Sequence, residues 1–256
     1  MKESFDGKQI SKTFMKGLQV FSAFDGVNKE LTVPEVSKKT GIDRTVTRRL
    51  ILTLESMGYL ESRSPRRYQL TPKILGLASY FLRGRGIGKY VDPILRTFSH
   101  KLGESISFAM IDDLEAIYVA HSPGEPSMIT HGFTVGFRLP LAATAIGRAL
   151  LAFSAPKEYN YLLENVPLKI FTAKTKTKRK ELEACLKEVR SQGYSMVTDE
   201  YELGVTSLSV PVLSSDKKLI GALGVAGPSP RFKEESEVER RVSLLFECAE
   251  AMSFIS

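Results

Sequence analysis

A chain of 256 residues with 36 Lys and Arg against 29 Asp and Glu carries a formal net charge of +7, and its 43% hydrophobic content is that of a globular protein long enough for two domains. No apolar run reaches the roughly 20 residues of a membrane span, and the opening MKESFDGKQI lacks the hydrophobic centre of a secretion signal. Two distant cysteines, Cys185 and Cys248, form neither a disulfide framework nor a zinc spacing, which points to a reducing cytoplasm.

The charge is uneven along the chain. Residues 1–72 hold 13 Lys and Arg against 8 Asp and Glu, a net of +5, which leaves +2 for all the rest. A basic small domain beside a nearly neutral larger one suggests an anionic partner for the first.

The first predicted helix lies in SKTFMKGLQVFSAFD, where Phe14, Leu18, Phe21 and Phe24 recur at helical spacing and Ser11 or Thr13 can cap. In LTVPEVSKKTGI, Thr32 can cap a two-turn helix, Pro34 is tolerated in its first turn, and Gly41 ends it. Asp43 then opens a third helix, DRTVTRRLILTLESMG. At about 100° per residue, Val46, Leu50, Leu54 and Met57 share one face. Arg44, Arg48 and Glu55 lie opposite, with Thr45 and Leu52 beside them and Arg49 on the flank. Gly58 ends this helix, YLE starts an extended segment, SRSPRR is a basic turn, and YQLT is a second extended segment.

Helix, short helix, turn, helix and hairpin make a winged helix-turn-helix. In such a unit the third helix enters the DNA major groove with its N-terminal half. Arg44, Thr45, Arg48 and Arg49 are the candidates there, since arginine can bond guanine O6 and N7 together. Thr45 and Thr47 suit a phosphate or a thymine methyl. Arg63, Arg66 and Arg67 of the hairpin turn would meet phosphate or the minor groove. The competing reading of Arg49 is an ion pair with an acid of the first helix. For the hairpin arginines it is a merely solvated turn.

Beyond the hairpin, Thr71 and Pro72 begin a helix carrying Leu75, Leu77 and Leu82. RGRGIGKY, residues 83–90, does not have the P-loop spacing and reads as a flexible joint. A further amphipathic helix runs from Tyr90 to Leu102. SISFAMIDD and EAIYVAHS are strands about a tight acidic turn, and SMITHGF is a candidate strand. ATAIGRALLAF is a helix with Thr144 near its start. KRKELEACLKEVRSQGY is a longer one ended by Gly193. TSLSVPVL and KLIGALGVAG are strands either side of Ser214–Lys217, and EESEVERRVSLLFECAEAMSFI closes the chain as a helix. This irregular alternation with hairpins is an α+β domain. The basic run KTKTKRK, Lys174 to Lys180, reads as a solvated loop rather than a second nucleic-acid contact.

Nothing in the chain marks a catalytic centre. His100, His121 and His131 have no metal spacing, GxSxG is missing, and the acid pairs Asp112/Asp113 and Asp199/Glu200 fall in turns. The sequence predicts neither an enzyme nor a cofactor.

LTVPEVSKKTGIDRTVTRRLILTLESMGYLE followed by YQLTPKILGLA resembles the N-terminal domain of IclR-type bacterial transcriptional regulators. RLPLAATAIGRALLAF and GYSMVTDEYELGVTSLSVPVLSSDKKLIGALGVAGP resemble their effector-domain motifs, so the likeness covers about residues 10 to 253 in the expected order. The resemblance implies a winged helix-turn-helix at 1–71 and a linker helix and hinge at 72–88 that also pairs subunits. A GAF-like effector-binding domain follows at 89–256. It implies a homodimer or dimer of dimers on a double-stranded DNA operator. It also implies a carboxylate held by backbone amides at the start of the AATAIGRALL helix, here those of Ala145 and Ile146. Met128, His131, Val197, Ser207, Gly224 and Ala226 match the other pocket positions. Relatives that sense glyoxylate or pyruvate carry an acid where Val197 stands, a cysteine at Ser207 and serines at Gly224 and Ala226. The loss of polar groups here suggests a different or larger ligand. VTDEYELGVTSLSVPV resembles the family's regulators of aromatic catabolism more closely, although GALGVAGP does not, and that resemblance implies a small organic acid, aromatic or from aromatic breakdown. Plain sheet core is the competing reading of Val197, Gly224 and Ala226. For the whole chain there are two alternatives. One is a DNA-binding protein whose C-terminal domain only oligomerises, without an effector. The other is an enzyme with a basic appendage.

Overall fold

The computed structural model describes residues 10–24, 29–64, 66–124 and 134–254. The chain divides into two compact units, Met1–Phe81 and Leu82–Ser256. The division falls inside a helix, ten residues later than the end of the winged domain expected from sequence. At this boundary the first unit holds 14 Lys and Arg against 8 acids, a net of +6, and leaves +1 to the second. No described helix is long and apolar enough to cross a membrane.

In the first unit α1 (Lys12–Phe21) is capped by Ser11, whose hydroxyl accepts from the Phe14 amide. After β1 (Leu31–Thr32), the Thr32 hydroxyl and the Glu35 carboxylate satisfy each other's backbone amides at the start of α2 (Val33–Thr40), and left-handed Gly41 ends it. Asp43 caps α3 (Arg44–Ser56) through the Thr45 and Val46 amides at 2.9 and 3.2 Å. β2 (Leu60–Ser64) and β3 (Arg67–Leu70) form the hairpin, and β1 adds to β3 in the antiparallel order β1-β3-β2. Val20, Val36, Ile51 and Leu60 centre the core.

Two expectations about this core change. In α1 the stripe Phe14/Leu18 stays exposed, and Val20 and, in the turn after the helix, Ala23 go inside. In α3 the buried face is Thr47, Leu50, Ile51 and Leu54, and Met57 is half exposed. The inward face is thus rotated from the stripe drawn by apolar residues alone.

α4 (Ile74–Gly84) buries none of its residues. The residues read as a flexible joint, 83–90, comprise the end of α4, a turn and the start of a π-helical turn. Gly86, left-handed at φ +64°, turns the chain into a π-helical turn over Ile87–Val91, which runs on into α5 (Asp92–Leu102). Gly86 is required there, since a Cβ would stand 2.7 Å from the Tyr90 ring.

The second unit is a six-stranded antiparallel sheet. Its strands are β4 (Ile106–Asp112), β5 (Glu115–Ser122), β6 (Arg138–Pro140), β7 (Ser195–Thr198), β8 (Val205–Leu213) and β9 (Leu219–Pro228), in the order β6-β5-β4-β9-β8-β7. On one face α5 and α9 (Glu235–Ala251) bury Leu95, Phe98, Leu245 and Cys248 against Phe108 and Leu208. On the other lie α6 (Ala145–Phe153), α7 (Pro156–Asn165) and α8 (Arg179–Gln192), burying Leu150, Leu162 and Leu186 against Ala109 and Ala222. Thr144 caps α6 and Gly193 ends α8, both as expected. The expected strand in SMITHGF lies outside the described residues.

Candidate functional site

Arg44, Thr45, Arg48 and Arg49 are all exposed on α3. None of the three arginines makes an ion pair among the described residues, and α1 contains no acid to take Arg49. Free cations at the start of a helix whose other face is core fit a groove-facing surface. Thr47, expected beside them, does not fit. It is fully buried, and its hydroxyl donates to the Ile42 and Asp43 carbonyls at 3.1 and 2.9 Å. Turned inward, it has no path to a base or a phosphate.

The hairpin arginines differ from one another. Arg63 pairs with Glu61 at 3.0 Å, and Arg67 donates to the Glu30 carbonyl at 3.2 Å and lies 3.8 Å from Glu35. Both pairs are exposed and can be exchanged for phosphate at little expense. Arg66 stands at the turn with φ +68° and has no partner among the described residues.

In the second unit, the sheet face under α6 holds a cavity of about 730 Å³, counted with its open mouth. Ala145, Ile146, Val197, Ser207, Gly224 and Ala226 all line it. Register explains the convergence. Val197 faces Ser207 across β7 and β8, and Ser207 faces Ala226 across β8 and β9. Gly224 sits two residues before Ala226, so it shares the same face. The floor there is low because Gly224 has no side chain; a Cβ would meet Ile146 Cδ1 at 3.3 Å. Met128 and His131 lie outside the described residues.

Above this floor is the N-terminus of α6. The Thr144 hydroxyl accepts the Gly147 amide at 3.1 Å and donates to the Pro140 carbonyl at 2.8 Å. The Ala145 amide reaches the Ser207 hydroxyl only at 3.4 Å, and that hydroxyl reaches the Val197 carbonyl at 3.5 Å. Both bonds are at the outer limit of a hydrogen bond, so Ser207 and the amide are easily re-aimed. The Ile146 amide has no acceptor among the described residues. Two weakly used amides at a helix N-terminus form a site suited to an anion.

Sequence reasoning missed the rest of the lining. Ser107, Tyr118 and His121 form a polar cluster on the opposite side of the floor. Ser107 Oγ lies 3.0 Å from His121 Nδ1. Burial pushes the Tyr118 phenol up to about 12, despite a hydrogen bond with Ser107, and lowers the His121 pKa below its ordinary value. Both groups are therefore uncharged at neutral pH. Glu200 also reaches the cavity wall. Its carboxylate accepts from Arg148 at 2.9 and 2.6 Å and from the Lys176 amide and Nζ at 3.0 and 2.8 Å. Burial alone would raise its pKa, but these bonds outweigh burial and hold it below the usual range. Arg148 also donates to the Ala142 carbonyl at 2.9 Å, tying α6 to the segment before it. The run Lys174–Lys180 is accordingly less of a solvated loop than expected, since Lys174 and Lys176 bind Asp199 and Glu200.

Family models place both units. One described as Bacterial transcriptional regulator IclR C-terminal matches residues 80–254, and one described as IclR helix-turn-helix domain matches residues 13–64. The chain is 32% identical over 237 residues to the Pca operon regulatory protein of Acinetobacter baylyi, spanning 91% of this chain and 85% of that one. It is 33% identical over 226 residues to the Pca regulon regulatory protein of Pseudomonas putida, spanning 88% and 77%. Among solved structures, an IclR homolog from Microbacterium hydrocarbonoxydans complexed with 4-hydroxybenzoate matches with a TM-score of 0.77. That match covers 94% of this chain and 98% of the other at 19% identity, which makes it a likeness of fold.

Proposed function

The chain belongs to the IclR family of bacterial transcriptional regulators, and we propose that it is a DNA-binding regulator controlled by a small aromatic carboxylic acid held under α6. The observation that carries the ligand class is the pair of loosely engaged amides, Ala145 and Ile146, opening over an otherwise apolar floor with Ser207 beside them. A carboxylate suits the amides and the helix field, and a ring suits Val197, Gly224 and Ala226. Two relatives are named for Pca regulation, and a protein of the same fold was solved with 4-hydroxybenzoate. These names support an aromatic acid over a two- or three-carbon acid.

On the DNA side, Arg44, Thr45, Arg48 and Arg49 read or position the major groove, and Arg63, Arg66 and Arg67 lie against the backbone or minor groove. Thr47 is left out for the reason given above. The regulator works in the cytoplasm as a homodimer or a dimer of dimers. Leu75 and Leu77, which α4 leaves half or more exposed, support pairing of copies through that helix. Ligand biases the DNA-binding units by preferring one of two arrangements of the assembly.

The test is an operator gel shift on the full chain with a panel of benzoates and the matched benzamides. A benzoate that changes operator affinity while its amide does not supports the reading. If no acid changes the affinity and calorimetry detects no acid bound, the C-terminal unit serves oligomerisation alone.

A further inference from the structure

The cavity has two polar ends, and the second differs in kind from the first. Ser207 stands on β8 and His121 on β5, three strand spacings apart in the order β5-β4-β9-β8, or about 14 Å along the sheet. Gly224 and Ala226 of β9 lie between them as a low apolar floor. A ligand anchored at the α6 amides and lying across this floor directs its far end toward β4 and β5.

That end owes its polarity to a defect in strand pairing. His121 pairs with Ser107 and Tyr118 pairs with Ala109, with a bulge between these pairs. Positions 118 and 121 are an odd number apart, so a regular strand would send them to opposite faces. The extra residue in β5 returns both to the cavity side, while Val119 and Ala120 join the core against α5 and α9. Ser107 Oγ then bonds His121 Nδ1 and also Tyr118, and His121 Nε2 has no partner among the described residues. His121 lines the cavity, and whichever tautomer the ring takes, Nε2 is left as a donor or an acceptor.

Charge narrows the ligand further. Among the described residues, no Lys or Arg lines the cavity. Of the two acids that do, Glu200 is ion-paired with Arg148 and Lys176, and Glu202 is exposed. A second carboxylate at the β5 end would be desolvated with no cation among the described lining residues to meet it. A hydroxyl, which both donates and accepts, matches the neutral cluster.

We propose that this second end selects a hydroxylated monocarboxylate, with the ligand hydroxyl bonded to His121 and with Ser107 and Tyr118 fixing the ring behind it. The inference rests on the organic-acid reading above, since the α6 amides must hold the carboxylate for the hydroxyl to reach β5.

Calorimetry on the full-length chain tests it with benzoate, 3- and 4-hydroxybenzoate, terephthalate and 4-hydroxybenzamide. One of the hydroxybenzoates should bind about twofold to tenfold tighter than benzoate, the worth of one net hydrogen bond. Terephthalate should be weaker than benzoate. In His121→Leu the ratio of hydroxybenzoate to benzoate affinity should fall to about one, and in His121→Gln part of it should return. Thermal melting of both variants confirms that they are folded. An equal affinity for benzoate and both hydroxybenzoates, a ratio that survives in His121→Leu, or terephthalate as the tightest binder overturns the hydroxyl end and leaves the carboxylate end standing. The amide binding as tightly as 4-hydroxybenzoate overturns the carboxylate end instead. Binding of no acid overturns both.

Discussion

Thr47 shows what a single hydroxyl can hide. It lies in a run of polar residues on α3, so its composition suggested the DNA face, yet it is fully buried. The hydroxyl takes the place of an apolar group because it finds two carbonyls at the turn before the helix. Both carbonyls keep another donor, the Ser37 hydroxyl on Ile42 and the Thr47 amide on Asp43. Thr47→Val should therefore lower stability by only about 0.5–1.5 kcal/mol, seen in denaturant unfolding, and leave operator selectivity unchanged. Arg48→Ala should do the reverse. It should keep the unfolding midpoint, weaken specific binding by about 1–3 kcal/mol, and relax one operator position in a gel-shift selection. Arg66→Ala should weaken all sequences alike and reduce the slope of log affinity against log salt by about one. An unchanged slope would remove Arg66 from the phosphate contacts. The arginines were legible in sequence because an exposed cation needs only to be off the apolar face. Thr47 was not, because periodicity counts apolar residues and a satisfied buried hydroxyl is not among them.

Among elements, α6 sets the site, and its close seating is visible at Gly147. A Cβ there would stand 2.4 Å from both the Cα and the carbonyl oxygen of Leu141. Alanine favours a helix over glycine by about 1 kcal/mol, but overpacking against backbone opposes it by about 1–3 kcal/mol or more. Gly147→Ala should thus lower the melting temperature of the chain and weaken benzoate binding, since the Ala145 and Ile146 amides must shift with the helix. The second tie of α6 is the buried pair Arg148–Glu200, both at most 5% exposed by side chain. Glu200→Gln leaves Arg148 without its counter-charge and should destabilise by about 3–5 kcal/mol. The wild-type carboxylate is held below its unfolded pKa near 4.5. Its contribution is complete above that value and is lost as pH falls through the lower, folded one. Between pH 7 and pH 3 the stability of Glu200→Gln should accordingly fall less steeply than wild type in urea titrations. The α6 helix, its Thr144 cap and the two long strands were plain in sequence. α7 was not, because its ten residues bury only Leu162 and show no full stripe. The β5 cluster was hidden for a different reason. Alternation assigns 118 and 121 to opposite faces, and a one-residue bulge leaves no mark in composition.

At the scale of the molecule, the division of the chain is also a division of charge, with +6 on the first unit and +1 on the second. On DNA the first unit should occupy two half-sites one helical turn apart, about 34–36 Å, if it acts as a twofold dimer. Hydroxyl-radical footprints should then show paired protection at that spacing or a multiple of it. The partition has a thermodynamic consequence. Counterions leave DNA in proportion to the phosphates neutralised, and nearly all the cations in excess belong to the first unit, while the cavity under α6 belongs to the second. A ligand in the second unit that only redistributes binding-competent assemblies would move the intercept of the salt plot and keep its gradient. One that lifts a wing from the backbone would change the gradient as well. The same titration, run with and without ligand, thus reports whether the effector acts on how many molecules bind or on how each one holds the duplex.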